Sequence, residues 1–383
     1  IVLPACTQFE TWGFEDGWKS MQDVILQPKL VEPPGEALSD YAICAGVAER
    51  LGIGEDFTEG RDEHAWVEWL LDEVRKERFP DLPTLDELLE RNVGIWARPI
   101  TEPTVAFADF RADPETHPLD TPSGRIEIFS RQLHDLGLPD EVPAVPKYIQ
   151  EWESPLGPEA ERFPLAVIGH HTLGRVHSTH DNNDWLQEAF PHRVAINRLD
   201  ARARDIADGD LVRVWNERGA MTLPCRLTDR LMPGVIDVPQ GAWWSPDRQG
   251  VDRRGNVNVL SSERATPFAF GNAQHTIMAE VARASGPRQE LAGSPREPHS
   301  PRRPRPSPDP VSDEPLLFHF DASACTGCKA CQIACKDRNA LPEGVLWRRV
   351  YEVSGGAWQR DGAAWRHDVG AYHLSLACNH CER

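Results

Sequence analysis

Leu211-Val212-Arg213-Val214-Trp215-Asn216-Glu217-Arg218-Gly219-Ala220-Met221-Thr222-Leu223-Pro224-Cys225-Arg226-Leu227 holds two alternating runs around four residues ending in Gly. Period-two alternation marks a half-buried strand, and Gly relieves the chain reversal, so the stretch predicts a β-hairpin. Outward from it, the turn Asp208-Gly209-Asp210 precedes the hairpin, and a helical turn follows Asn197. Leu165 to Ile168, Val194 to Ile196, Val235 to Val238, Val257 to Leu260 and His275 to Val281 read as further short strands. About seven strands at such close spacing predict a compact barrel over residues 161–283 rather than an open parallel sheet.

Residues 1–160 are different material. Ser39 is placed to cap a helix through Tyr41, Ile43, Cys44, Val47 and Leu51 that Gly52 stops. A second helix is predicted over Asp62 to Phe79, with Trp66, Trp69, Leu70 and Val74 on one face, and Thr84 with Glu87 forms a capping box before Leu85, Leu88 and Leu89. Thr121-Pro122-Ser123-Gly124 reads as a turn feeding a short strand to Phe129. This is α/β composition. It is also acidic: residues 1–160 hold 33 acidic and 13 basic side chains, which accounts for the net charge of -19 on the 383-residue chain. Such a balance argues against broad nucleic-acid binding. No apolar run approaches the length of a membrane-spanning helix.

From residue 284 to 314 long apolar stretches vanish, and Pro interleaves with Ser and Arg, so this is read as a solvated linker. Six of the nine cysteines then fall after residue 324. Cys325, Cys328, Cys331 and Cys335 form C-x2-C-x2-C-x3-C, and Cys378-x2-Cys381 opens another ligand group. Three thiolates within seven residues can hold three corners of a 4Fe-4S cube, with the fourth directed to a second cluster. Zinc, which favours two separated C-x2-C pairs, is the weaker reading. Cys6, Cys44 and Cys225 are scattered and read as buried small apolar residues. The chain opens Ile1-Val2-Leu3-Pro4 and closes within a cysteine motif, so it reads as a fragment.

One loop is rich in hydrogen-bonding groups: Gly169-His170-His171-Thr172-Leu173-Gly174-Arg175-Val176-His177-Ser178-Thr179-His180-Asp181. Following a strand, it can hold a phosphate-bearing cofactor through Arg175, backbone amides and hydroxyls. His170, His177 and His180 as zinc ligands, or an ordinary surface loop, are the alternatives. Gly52-Ile53-Gly54 lacks a third Gly and follows a helix, which excludes a dinucleotide fingerprint. Trp243-Trp244 reads as barrel core or pocket wall.

Taken in order, several motifs resemble the C-terminal part of the catalytic subunit of dimethyl sulfoxide reductase-type molybdopterin oxidoreductases. They are Thr121 to Glu127, Gly174-Arg175-Val176-His177-Ser178, Asn197 with Leu199-Asp200, Asn216 to Gly219, Pro233-Gly234-Val235, Gly241-Ala242-Trp243, Asn256 to Leu260 and Gly271 to His275. The cysteine-rich tail resembles the start of those enzymes' electron-transfer subunit, since Lys336 stands where simple bacterial ferredoxins have Pro.

The resemblance implies a multidomain α/β plus β chain. Residues 1–160 would be the C-terminal part of the central α/β domains, 161–283 a double-psi β-barrel, 284–314 a Pro/Arg-rich linker, and 315–383 a truncated ferredoxin-like α+β domain with 4Fe-4S clusters. The barrel would close over a bis(molybdopterin guanine dinucleotide) cofactor carrying molybdenum or tungsten. Gly174, Arg175, His177, Ser178, Asn258, Asn272 and Gln274 would touch it, and the molybdenum ligand would lie upstream of Ile1. The implied activity is oxygen-atom transfer from a small S- or N-oxide, with a membrane anchor or quinol-oxidising subunit as partner. A formate, thiosulfate or polysulfide oxidoreductase of the same superfamily and a non-catalytic electron-transfer module are the alternatives.

Overall fold

The structure, a computed structural model, describes residues 2–16, 22–100, 105–284, 320–342 and 344–377. Chain contacts divide it into two units, Ile1–Glu127 and Ile128–Arg383. In the first, β1 (Gly13–Glu15), β2 (Asp23–Gln27) and β3 (Ile95–Ala97) form an antiparallel sheet in that order. Helix α1 (Asp40–Leu51) starts where the Ser39 hydroxyl accepts the Ala42 N–H and stops at Gly52, whose φ of 76° only Gly adopts readily. Helices α2 (Gly54–Thr58) and α3 (Glu63–Glu77) follow, α3 capped by Asp62, and Thr84 and Glu87 close their reciprocal box on α4 (Leu85–Glu90). A last short helix, α5, spans Ala108–Ala112.

Three details of this unit differ from the sequence reading. The face of α3 that enters the core carries Val67 and Leu71, packed with Val24, Leu26, Phe79, Leu82, Leu85 and Leu88, while Trp69 and Leu70 stay partly exposed. The apolar residues of α3 fill more than one stripe, and the sheet selects only one of them. Cys44 is exposed because α1 buries only Ala48. The Thr121–Gly124 turn closes, with Gly124 N–H bonded to the Thr121 carbonyl, yet no strand follows it among the described residues, and Ile126 and Ile128 are exposed.

The second unit begins with α6 (Arg131–Asp135) and continues through β4 (Leu165–Ile168), α7 (Asp184–Ala189), β5 (Val194–Asn197) and α8 (Arg198–Arg202). Then come β6 (Leu211–Trp215), β7 (Ala220–Thr228), β8 (Val235–Asp237) and β9 (Ile277–Arg283). The 211–227 stretch is the expected hairpin, with Trp215 opposite Ala220. The strands close into a barrel in the order β4-β8-β5-β7-β6-β9 around Val167, Ile196, Val212, Val214, Met221, Leu223, Cys225, Ile236 and Val281. The barrel thus has six strands, not seven. Val257–Leu260 is a 3-10 helix, because the Asn256 side chain accepts the Asn258 N–H and turns the chain there. Residues 128–160 belong with the barrel rather than with the first unit: Glu153 pairs with Arg218 at 2.7 Å, and Arg264 stacks over Trp152.

In the described residues from 320 on, α9 (Ala330–Arg338) precedes β10 (Arg348–Gly355), the hairpin β11 (Trp358–Asp361) and β12 (Ala364–His367), and β13 (Gly370–Ala377). β10 and β13 pair antiparallel, from Arg348↔Ala377 to Gly355↔Gly370. Residues 285–314 of the expected linker lie outside the described residues, as do Cys378 and Cys381.

Candidate functional site

Barrel topology collects the polar loops. β4 is parallel to β8, and β9 runs antiparallel to β4. The C-terminal ends of β4 and β8 therefore share one end of the barrel with the start of β9. Loops 169–183, 238–256 and 261–276 all open there, together with the 3-10 turn carrying Asn258. Gly174, Arg175, His177, Ser178, Asn258, Asn272 and Gln274 are consequently on one end of one barrel, although a hundred positions separate the first from the last.

The loops are knitted together below their surface. Asp181, 1% exposed, accepts from Arg175 Nη1 at 2.5 Å, Arg254 Nη2 at 2.7 Å and the Trp243 N–H at 2.9 Å. The other terminal nitrogen of Arg175 donates to His192 Nδ1 at 2.8 Å, and His192 Nε2–H donates to the Gly255 carbonyl at 3.0 Å. Those bonds require a neutral imidazole. Burial, then the Arg175 charge, push its pKa down to about 4. Burial alone would raise the Asp181 carboxyl, but the Trp243 N–H and the two guanidiniums outweigh it and hold it below the usual range. Asp252, fully buried, organises the neighbouring loop by accepting the Ser245 and Asn256 N–H groups.

This gives Arg175 a different place from the one read in the sequence. Both terminal nitrogens of its guanidinium are engaged with Asp181 and His192, so it braces the loop from beneath. The groups left facing outward are His177, Ser178, Asn258, Asn272 and Gln274, all exposed. No hydrogen bond joins the side chains of Ser178, Asn258 or Asn272 to another of the described residues. His177, at φ 51°, turns the backbone there, and Gly241 packs so tightly that a Cβ would stand 1.7 Å from the His177 carbonyl oxygen. Only Gly fits that crossing. Trp243 and Trp244 are part-exposed and exposed rather than core, and the Trp243 indole donates to the Ser178 carbonyl at 2.9 Å. Leu173, Val176, Phe268 and Phe270 add exposed apolar surface to the same loops. Hydrogen-bonding groups beside apolar and aromatic ones suit a large polar cofactor with a flat ring system.

The bracing network was not legible as such. Asp181 was visible in the loop, but Arg254 is 73 positions away, and nothing in either local pattern joins them. His170 pairs with Asp237 at 2.7 Å. Among the described residues no three His, Cys, Asp or Glu side chains converge on one point.

The cysteine motif is an irregular loop followed by a helix. Gly327 adopts φ 74°, and a Cβ there would meet the His373 ring at 2.5 Å, so the Cys325–Cys328 loop packs directly on β13. Cys331 and Cys335 lie one turn apart on α9. Cys331 Sγ is 3.2 Å from Ser375 Oγ, and Ser375 is three positions before Cys378. Cys325, Cys328, Cys331 and Cys335 are free thiols, a donor type that suits soft metal or iron–sulfur ligation, but no three of them converge on one point in the structure.

Comparison with known proteins fits this geometry. The family described as molydopterin dinucleotide binding domain matches residues 165–278, which is the barrel with its polar end. Dimethyl sulfoxide reductase DmsA of Haemophilus influenzae is 38% identical over 294 residues, covering 74% of this chain and 36% of that protein. Dimethyl sulfoxide/trimethylamine N-oxide reductase of Rhodobacter capsulatus is 39% identical over 308 residues, 76% of this chain and 37% of that one. Trimethylamine-N-oxide reductase of Vibrio vulnificus is 33% identical over 298 residues, 75% and 36% of the two chains. The chain spans little more than a third of these relatives' length. Acetylene hydratase from Pelobacter acetylenicus shares the fold, with a TM-score of 0.56 at 18% identity over 74% of this chain and 38% of that one. Over about three-quarters of its length the chain is similar to dimethyl sulfoxide reductase-type molybdoenzymes, and its barrel is the part that matches the dinucleotide-binding domain model. Among the described residues no helix is long and apolar enough to cross a membrane.

Proposed function

We propose that this chain is part of a molybdenum oxidoreductase that reduces S- or N-oxides, and that its barrel, taken as a double-psi barrel, seats a bis(molybdopterin guanine dinucleotide). The observation that carries this reading is the gathering of the polar loops at one barrel end, over a braced ionic cluster. Arg175 and Arg254 bring two positive charges to the Asp181 carboxylate, with His192 neutral, and the buried Asp252 carboxylate beside Arg254 balances the second, so the cluster braces the loop without a net charge. The exposed neutral donors that this bracing holds in place suit a pyrophosphate above it. Ser178 and the amides of Asn258, Asn272 and Gln274 supply neutral hydrogen bonds, His177 presents its ring beside them, and Gly174 lets the loop lie flat against Phe190.

When bound, the molybdenum cofactor supplies the oxygen-atom transfer chemistry. What these residues do is hold, orient and shield it. Cys325, Cys328, Cys331 and Cys335, with Cys378 and Cys381, would hold 4Fe-4S clusters that deliver electrons. A separate membrane-anchored, quinol-oxidising subunit is the expected partner. The relatives' names favour an oxide substrate over formate, thiosulfate or polysulfide. Metal analysis of the chain purified without air tests the reading. Molybdenum or tungsten together with about four irons per cluster supports it, whereas zinc alone overturns it.

A further inference from the structure

The segment bearing the cysteine motif lies on one flank of the barrel, and its two ion-pair contacts there are sorted by charge, although Lys329 of the segment also sits near the like charges of Arg193 and Arg226. On α9, directly after Cys335, the Lys336 side chain is 3% exposed and donates to the Pro342 carbonyl at 2.6 Å. Carbonyls alone would leave that ammonium a buried, uncompensated charge. The missing negative charge comes from the barrel: Glu188 of α7 stands 2.8 Å from Lys336 Nζ, and its other oxygen accepts the Gly344 N–H at 3.1 Å. At a second point the signs are reversed. Glu352 of β10 meets Arg226 of β7 at 3.4 Å and Arg230 just beyond β7 at 2.8 Å, with His373 at 3.7 Å behind it. Trp358 donates its indole N–H to the Asp229 carbonyl at 2.5 Å, and Lys329 lies over the Phe190 ring.

We propose that the barrel flank formed by α7 and the end of β7 is an orientation-selective docking site for this chain's own cysteine-bearing segment. The barrel offers a carboxylate at one point and two guanidiniums at the other, and the segment offers the complementary ammonium and carboxylate. Turning the segment end for end would set Lys336 against Arg226 and Arg230, and Glu352 against Glu188. Both points would then repel, so a single orientation is selected. The consequence is positional. Asn183 caps α7 and ends the polar loop, so the docked cysteine helix rests on the element that immediately follows that loop. The proposal does not depend on any cofactor being present.

Hydrogen exchange on the full chain, followed by mass spectrometry, tests it. Glu352→Lys should speed exchange in peptides covering 184–190 and 226–231 about tenfold, while the core strands β5 and β6 keep wild-type rates. Adding Arg230→Glu to that variant should restore most of the protection. Trp358→Phe, which removes one neutral hydrogen bond, should give a smaller rise confined to 228–231. About hundredfold dilution should change nothing, since the occupant is carried on the same chain. Unchanged exchange in both single variants would overturn the proposal, as would a double variant no better protected than Glu352→Lys. Protection lost on dilution would mean that a second copy supplies the segment, and would overturn it too.

Discussion

The barrel and the cysteine-bearing segment are built on opposite principles. The barrel carries its own core: Val194, Ile196, Val212, Val214, Met221, Ile236 and Leu260 are all fully buried, and every strand has two partners. In residues 320–377 Leu341 is the buried apolar side chain among those described, while Val345, Trp347, Tyr351, Tyr372 and Leu376 are exposed. A closed sheet needs nothing outside itself. A segment with two strand pairs and one helix lacks enough apolar burial to stand alone, and it draws order from contacts with the barrel instead. The polar barrel end lies between these extremes. It is held by buried charge, on a scaffold rigid enough to meet the cost.

That contrast can be broken first at the brace. Asp181→Ala would leave Arg175 and Arg254 facing each other without their carboxylate, a loss of about 3–5 kcal/mol by denaturant unfolding. Leu223→Ala in the barrel core should cost about 2–5 kcal/mol, whereas Leu341→Ala should cost clearly less, because fewer neighbours close around it. His192 adds a pH dependence. Its folded pKa is about 4, below the roughly 6.5 of an unfolded chain, so its contribution is complete above pH 6.5 and is lost as pH falls toward 4. The full loss is roughly 3 kcal/mol, seen as a falling Tm between neutral pH and pH 4.5, and His192→Gln should flatten that slope. Asn183→Ala, removing the cap of α7, should cost about 1 kcal/mol. At the small end, Asp361→Asn breaks an exposed pair with Arg366 and should shift stability by less than about 0.5 kcal/mol.

Local signals were the legible ones. The 211–227 hairpin, the Ser39 and Thr84 caps and the Gly52 stop all rest on residues within a few positions of one another, and each formed. Val257–Leu260 looked like a strand because its apolar residues alternate, but one side-chain bond from Asn256 was enough to coil it. Trp69 and Leu70 looked like core because α3 is apolar on more than one side. The roles of Arg175 and Asp181 depend on Trp243, Arg254 and His192, which only the closed barrel brings near. The motif containing Arg175 could be found in the sequence, but the direction in which its side chain points could not.

The central claim is that one end of the barrel, and not the other, receives the pyrophosphate-bearing half of a guanine dinucleotide. Hydrogen-exchange footprinting of the full chain with guanosine diphosphate tests it most directly. The account predicts slowed exchange over 172–183 and 256–275, with residues 205–210 and 228–234 at the far end unaffected. Protection at the far end, or none at either end with ligand in large excess, would contradict it.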